Sequence, residues 1–204
     1  MKNLMKVALL VFAFVTLSFI SAEKKEINVV IDAGHGGHDL GATHEDVLEK
    51  SIVAEVTKKI QSMNTDADIK IHITRTDDNY LTLQEKTDFI NKIKPDLVIS
   101  LHTNSNKNTT TKGIETFYSE KSTTALQSQE LATKLSEEFT KNIPLKNRGV
   151  KKAPFWILTK SDVPAVIVEM GFISNKSDKD YLTNEDGQTK IAKTILDFII
   201  GLKH

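Results

Sequence analysis

Three short runs of apolar, mostly β-branched residues set the frame for this chain of 204 residues: Val29-Val30-Ile31, Leu97–Leu101 (LVISL) and Ala165–Val168 (AVIV). Runs without polar alternation read as strands buried on both faces, the kind found inside parallel sheets. The first belongs to a strand expected at Ile27–Asp32. Stretches with helical spacing lie between and after the runs. Val47–Met63 carries Val47, Leu48, Ile52, Val53, Val56 and Ile60, and Leu81–Ile93 is closed by Pro95. Thr124–Asn142 carries Leu126, Leu131, Leu135 and Phe139, and Asn184–Leu202 turns Ile191, Ile195, Phe198 and Ile199 inward. Ile69–Thr74 (IKIHIT) alternates and reads as a strand with one outward face, Ile114–Tyr118 is extended, and Phe155–Leu158 reads as a further strand. Strands alternating with helices, with no repeat and no interdomain linker, predict a single α/β domain on a mainly parallel sheet.

Composition removes several classes of chemistry. Basic and acidic residues balance at 27 each, so nothing demands a nucleic acid or an anionic membrane. There is no cysteine, which excludes a thiol nucleophile, a disulfide framework and a thiolate zinc site. A metal would have to use histidine and carboxylate. There is no G-x-S-x-G elbow and no Walker loop.

Residues 1–22 read as a secretory signal peptide. Lys2 and Lys6 precede the apolar run Val7–Ile20, and Ser21-Ala22 follow it. The run is short for a membrane span, although an uncleaved anchor is the alternative. Cleavage after Ala22 is expected to leave residues 23–204 as one mature domain, exported to the periplasm or the cell exterior, with no stable membrane span in the mature chain.

Each apolar run leads to an ionisable residue. The first passes through Gly34 to His35, with Gly36 and Gly37 beyond, in the stretch VVIDAGHGGHDLGA. The second is followed at once by His102, and the third ends in Glu169. In a parallel sheet the carboxyl ends of these strands share one edge, where open α/β sheets place ligands. Glu49 falls in the first turn of the helix after the glycine loop and starts at that same edge. A lone histidine after a strand is usually structural or solvated, and a lone Glu49 would be an ordinary helix-start carboxylate. Glu169 is harder to explain in that way, because a carboxylate closing VPAVIVE is at risk of burial and then needs a partner or a metal. Two histidines and two glutamates together suit catalytic zinc, which takes three protein ligands, commonly His₂Glu, and keeps a further position open. A carboxylate that is not a ligand can act as general base. On the residues alone, either Glu49 or Glu169 can be the third ligand.

From Val29 to Leu202 the chain resembles the zinc-dependent N-acetylmuramoyl-L-alanine amidases of the amidase type 3 family. The resemblance rests on VVIDAGHGGHDLGA, Glu49-Lys50, TRTDD (Thr74–Asp78), ISLHTNS (Ile99–Ser105), GIETFY (Gly113–Tyr118), RGVK (Arg148–Lys151) and VPAVIVEMGFISN (Val163–Asn175). It implies that His35, Glu49 and His102 bind one zinc ion and that Glu169 is the catalytic glutamate. It implies as substrate the peptidoglycan amide between the muramoyl lactyl group and L-alanine of the stem peptide. The fold it implies is a mixed sheet between layers of helices.

Lys86 and Ile90-Asn91 stand where the family usually has Arg and an Ala-Asn pair, a departure expected to concern helix packing or an exposed charge. Only Ser119–Asn142 separates GIETFY from the RGVK region, which leaves little room for a blocking helical insert. Asp32 and Asp39 suit either hydrogen bonds to metal-site histidines or turn capping. Asn104 and Arg148 suit contact with glycan or peptide, and Asn104–Lys112 reads as a polar loop bordering the groove. His38 and His44 are expected to be bystanders, and His72 and His204 have no functional case. Two rival functions share these residues: a wall-binding module without turnover, and a zinc peptidase cutting within the stem peptide.

Overall fold

The computed structural model describes residues 26–203. The signal peptide expected at residues 1–22, and His204, lie outside the described residues. The strands are β1 (Ile27–Ala33), β2 (Thr43–His44), β3 (Val47–Leu48), β4 (Ile69–Ile73), β5 (Leu97–Asn104), β6 (Ile114–Tyr118), β7 (Asn147–Lys152) and β8 (Ala165–Phe172). Six of them form one sheet in the order β4-β1-β5-β8-β6-β7, and β2 and β3 form a small antiparallel pair. The three predicted apolar runs are its centre, β1, β5 and β8, and all three are parallel. β4 is parallel to β1, whereas β6 runs antiparallel to β8, so the sheet is mixed and mainly parallel.

Helices cover both faces. They are α1 (Glu49–Met63), α2 (Leu83–Ile93), α3 (Ala125–Asn142), α4 (Trp156–Lys160), α5 (Lys176–Thr183) and α6 (Glu185–Gly201). On one face Val29, Ile31, Leu97, Ile99, Val166 and Val168 meet Val53 and Val56 of α1, Leu135 and Phe139 of α3, and Ile191 and Ile195 of α6. On the other, Val30, Val98, Ala165 and Ile167 meet Ile90 of α2 and Ile157 and Leu158 of α4. Each such aliphatic side chain removed from water contributes about 1.5–3 kcal/mol. The second cluster is the smaller one and sits toward the amino ends of the strands. Past it, the face carrying Asp32, Ser100, His102 and Glu169 opens toward the carboxyl edge.

Several elements differ from expectation. The apolar run at Phe155–Leu158 is helical from Trp156 onward, because four apolar residues carry no usable period. Val47 and Leu48 pair with Thr43 and His44 as β3 and β2, so the helix begins only at Glu49. Leu126 is 82% exposed at the start of α3, whose core face is Ala132, Leu135 and Phe139. Of the two readings of Lys86, helix packing holds and an exposed charge does not: the side chain is buried, and its Nζ lies 3.0 Å from Asp32 Oδ1.

Candidate metal centre

β5 continues through His102 to Asn104 and β8 through Glu169 to Phe172. The two side chains therefore sit inside strands, where expectation put them at or just past the ends. They are direct neighbours in the parallel register, His102 opposite Glu169. The register then shifts between His102 and Asn104. Gly171 lies in that irregularity with φ of 150°, backbone that a side chain would strain.

His35 is on the glycine loop after β1, at φ 59°, a left-handed conformation that costs a non-glycine residue of order 1–2 kcal/mol. Its surroundings hold it there. Arg75 Nε donates to the His35 carbonyl at 2.7 Å and Nη2 to the Gly34 carbonyl at 3.0 Å. Lys50 Nζ donates to the Gly37 carbonyl at 2.8 Å and to Asp78 at 2.6 Å. The TRTDD segment after β4 thus clamps the loop after β1. Gly34 is required by proximity: a Cβ there would lie 2.6 Å from the Leu101 carbonyl and 2.6 Å from the His102 ring.

The three expected ligands converge. His35 Nε2 lies 3.1 Å and His102 Nδ1 2.9 Å from the same oxygen, Glu49 Oε1. One donor atom from each residue falls within 4.8 Å of the others, a spacing that could hold a metal ion. Backbone amides fix the carboxylate: Thr103 N–H donates to Oε1 at 3.0 Å and Ala42 N–H to Oε2 at 2.6 Å. His35 Nδ1 lies 2.8 Å from Asp39 Oδ2. With the proton on Nδ1, donating to that carboxylate, the Nε2 lone pair is directed at the site. Asp39 also accepts from Gly41 N–H at 3.1 Å, so both roles expected of it are present in one side chain.

The donors ask for positive charge. Burial alone would raise the Glu49 pKa, but the two imidazoles outweigh it and hold the carboxyl well below the usual carboxylate range. Burial alone would lower His35, but Glu49 and Asp39 push it up to about 9. A divalent ion would take the place of the proton that His35 holds against the nearly buried Glu49 carboxylate, so the same three side chains form a donor set that such an ion satisfies.

Glu169 stands apart from this triad in chemistry. Its Oε2 is buried and has no hydrogen-bond partner among the described residues. Burial raises its pKa, His102 opposes the rise, Glu49 and Glu115 add to it, and the group is pushed up to about 7. Among the described residues no hydrogen bond joins Asp32 to a histidine. It is buried and accepts from Ser100 Oγ at 2.7 Å and Thr74 Oγ1 at 2.8 Å beside Lys86. Burial raises the Asp32 pKa, but Lys86 and Ser100 outweigh it and hold it low.

Some residues around the site were missed or placed differently. Arg75 and Lys86 carry no local sequence signal for their long-range contacts. Glu115, opposite Glu169 on β6, accepts from Arg148 Nε at 2.5 Å, from Lys151 Nζ, and from Asn104 Nδ2 at 3.3 Å. Asn104 and Arg148 are thus tied to a carboxylate beside the site. His38 stacks on Tyr80 with ring centroids 4.1 Å apart. His72 Nε2 lies 3.2 Å from Asn28 Oδ1, away from the centre. A cavity beside His35 and His102 is lined by Tyr80, Leu83, Phe155 and Trp156.

An α/β domain with a His₂–Glu donor set at the carboxyl edge of its sheet, and alongside it a carboxylate with one buried oxygen that has no partner among the described residues, has the layout of a metal-dependent hydrolase. The chain belongs to the N-acetylmuramoyl-L-alanine amidase family, whose sequence profile matches residues 29–201. The uncharacterized protein YqiI of Bacillus subtilis is 34% identical over 171 residues, which are 84% of this chain and 82% of YqiI. The N-acetylmuramoyl-L-alanine amidase LytC of B. subtilis is 32% identical over 170 residues, 83% of this chain but 34% of LytC. The crystal structure of an N-acetylmuramoyl-L-alanine amidase from Clostridium difficile 630 superposes with a TM-score of 0.81 at 31% identity, covering 87% of this chain and 96% of that one.

Proposed function

We propose that this chain is a zinc-dependent N-acetylmuramoyl-L-alanine amidase, exported by a signal peptide at residues 1–22, that hydrolyses the amide between N-acetylmuramic acid and L-alanine in peptidoglycan. Residues 23–204 form the mature catalytic domain, acting in the periplasm or the cell wall. The observation that carries the reading is half-buried Glu169, whose buried Oε2 has no hydrogen-bond partner among the described residues, in register with His102 of the His35–Glu49–His102 donor set.

Zinc held by His35 Nε2, His102 Nδ1 and Glu49 would supply a Lewis acid that polarises the scissile carbonyl and acidifies water. The chain's own residues do the rest. Asp39 keeps the His35 proton on Nδ1, so that ring offers Nε2. Thr103 and Ala42 amides stop the Glu49 carboxylate from rotating away. Glu169 takes a proton from the attacking water on a carboxylate oxygen. It returns that proton to the L-alanine nitrogen as the C–N bond breaks and the new C–O bond remains on the lactyl carbonyl carbon. A pKa near neutrality suits a group that must both accept and donate.

The test is metal dependence on the natural polymer. Purified protein should solubilise isolated sacculi, lose that activity to a chelator, and regain it with one equivalent of zinc per chain. Activity that survives full chelation overturns the reading.

A further inference from the structure

Glu115, Arg148 and Lys151 take no part in metal binding or proton transfer, yet they stand beside the group that does. Glu115 faces Glu169 across β6 and β8, and directly paired residues point to the same face. Lys151 is paired with Phe117 one strand further out, two positions from Glu115 along β6, and so shares that face. Both cations reach the same oxygen, Glu115 Oε1. Two positive groups on one carboxylate leave one positive charge over.

That charge is accessible. Glu115 is buried, whereas the Arg148 and Lys151 side chains are 28% and 39% exposed. Arg148 spends Nε on Glu115 and Nη1 on the Lys112 carbonyl at 3.4 Å, and no hydrogen bond among the described residues engages Nη2. Its guanidinium lies over the Phe172 ring, 5.4 Å from the centroid, which holds the fork in place. Lys151 Nζ keeps donors beyond the one given to Glu115. By contrast, Lys86, the basic side chain in the cavity beside the histidines, is buried against Asp32.

We propose that Arg148 and Lys151, held side by side on Glu115, form a subsite for a free carboxylate on the stem peptide, close to the amide that is cut. This rests on the amidase reading of the site. The glycan side of that amide offers no such anion, because the lactyl carboxyl is consumed in the bond. The peptide side does. Neighbouring strands lie about 4.8 Å apart, and an extended peptide advances about 3.3–3.6 Å per residue. A cation on Glu115, one strand from Glu169, therefore meets a carboxylate on the residue directly after L-alanine or the one beyond. The guanidinium edge and the ammonium together present two charge-assisted donors, the strong class of hydrogen bond.

The experiment is titration calorimetry on the zinc-loaded protein with two probes: L-alanyl-D-glutamate with its carboxylates free, and the same dipeptide with both amidated. The free form should bind about tenfold more tightly or better. In Arg148→Gln and Lys151→Met that preference should fall to within about twofold of unity, the range left when a charge-assisted donor is gone. Circular dichroism melts identify the folded variants, and Lys151→Met, at the more exposed position, carries the test where Arg148→Gln does not fold. No preference in the wild type overturns the subsite. So does a preference that survives in the folded variants, which would place the carboxylate on the zinc instead. Failure to cut sacculi overturns the amidase reading and leaves the binding ratio a separate measurement.

Discussion

Glu49 and Glu169 carry the same carboxyl group in two different surroundings. Glu49 has two imidazole nitrogens at 2.9 and 3.1 Å from one oxygen and amide donors on both, so it is held ionised and aimed. Glu169 has a buried Oε2 without a partner among the described residues, which suits the proposed exchange of a proton. Glu169→Gln should lower turnover by about 10²–10⁴-fold while zinc stays bound, because Gln keeps the size but cannot accept the proton. Glu49→Gln should lose zinc first and activity in consequence. Metal analysis beside a turnover assay checks the pair, and the reverse pattern would mean that the two roles are exchanged. Asp39→Ala frees the His35 tautomer and should weaken zinc binding by about 10–100-fold, read by chelator competition. Unchanged affinity would reduce Asp39 to its turn contact with Gly41.

Between elements, the contact with the clearest energetic consequence is Asp32 of β1 with Lys86 of α2. The ammonium also donates to the Ala33 carbonyl at 2.9 Å, tying α2 to the strand that presents His35. A buried pair contributes little over a well-packed apolar replacement, but removing one partner leaves a buried charge. Lys86→Met should therefore destabilise by about 3–5 kcal/mol in urea unfolding, and adding Asp32→Asn should recover part of it. The pH dependence has a definite sign. The Asp32 pKa is lowered in the folded state, so its contribution is fully present above the unfolded value of about 3.9 and disappears as pH falls through the lower folded value. The Asp32 contribution to the urea midpoint should thus be intact at about pH 5 and fall away below about pH 4, so that in this acid range the midpoint drops less steeply in the double variant. A midpoint as steep in the double variant would assign the acid sensitivity elsewhere. This pair was not legible in the sequence. Lys86 reads as either packed or exposed, and nothing local marks the aspartate it meets. The capping box that starts α2 is local, with Thr82 and Glu85 bonded reciprocally, and expectation still began that helix two residues early at Leu81.

Over the whole molecule, what was legible followed from burial. β1, β5 and β8 lie in the interior of the sheet, with their apolar residues packed on both faces, so their composition alone marks them as strands and fixes which edge their carboxyl ends share. That rule puts His35, His102 and Glu169 at one edge, and Glu49 reaches the same edge from the start of α1. Asn147–Lys152 escaped because it is a polar edge strand, and α5 because Lys176–Thr183 has few apolar residues to set a period. The clamp by Arg75 escaped for a different reason, since it joins segments 41 residues apart. Reading the carboxyl edge as one site leads to a reaction, and the reaction has a product that distinguishes it from its rivals. The most direct measurement is mass spectrometry of the material that the zinc-loaded protein releases from purified sacculi. The account predicts complete stem peptides with a free L-alanine amino terminus, and glycan whose muramic acid carries a free lactyl carboxyl. Peptides cut internally, with L-alanine still joined to the glycan, would contradict it.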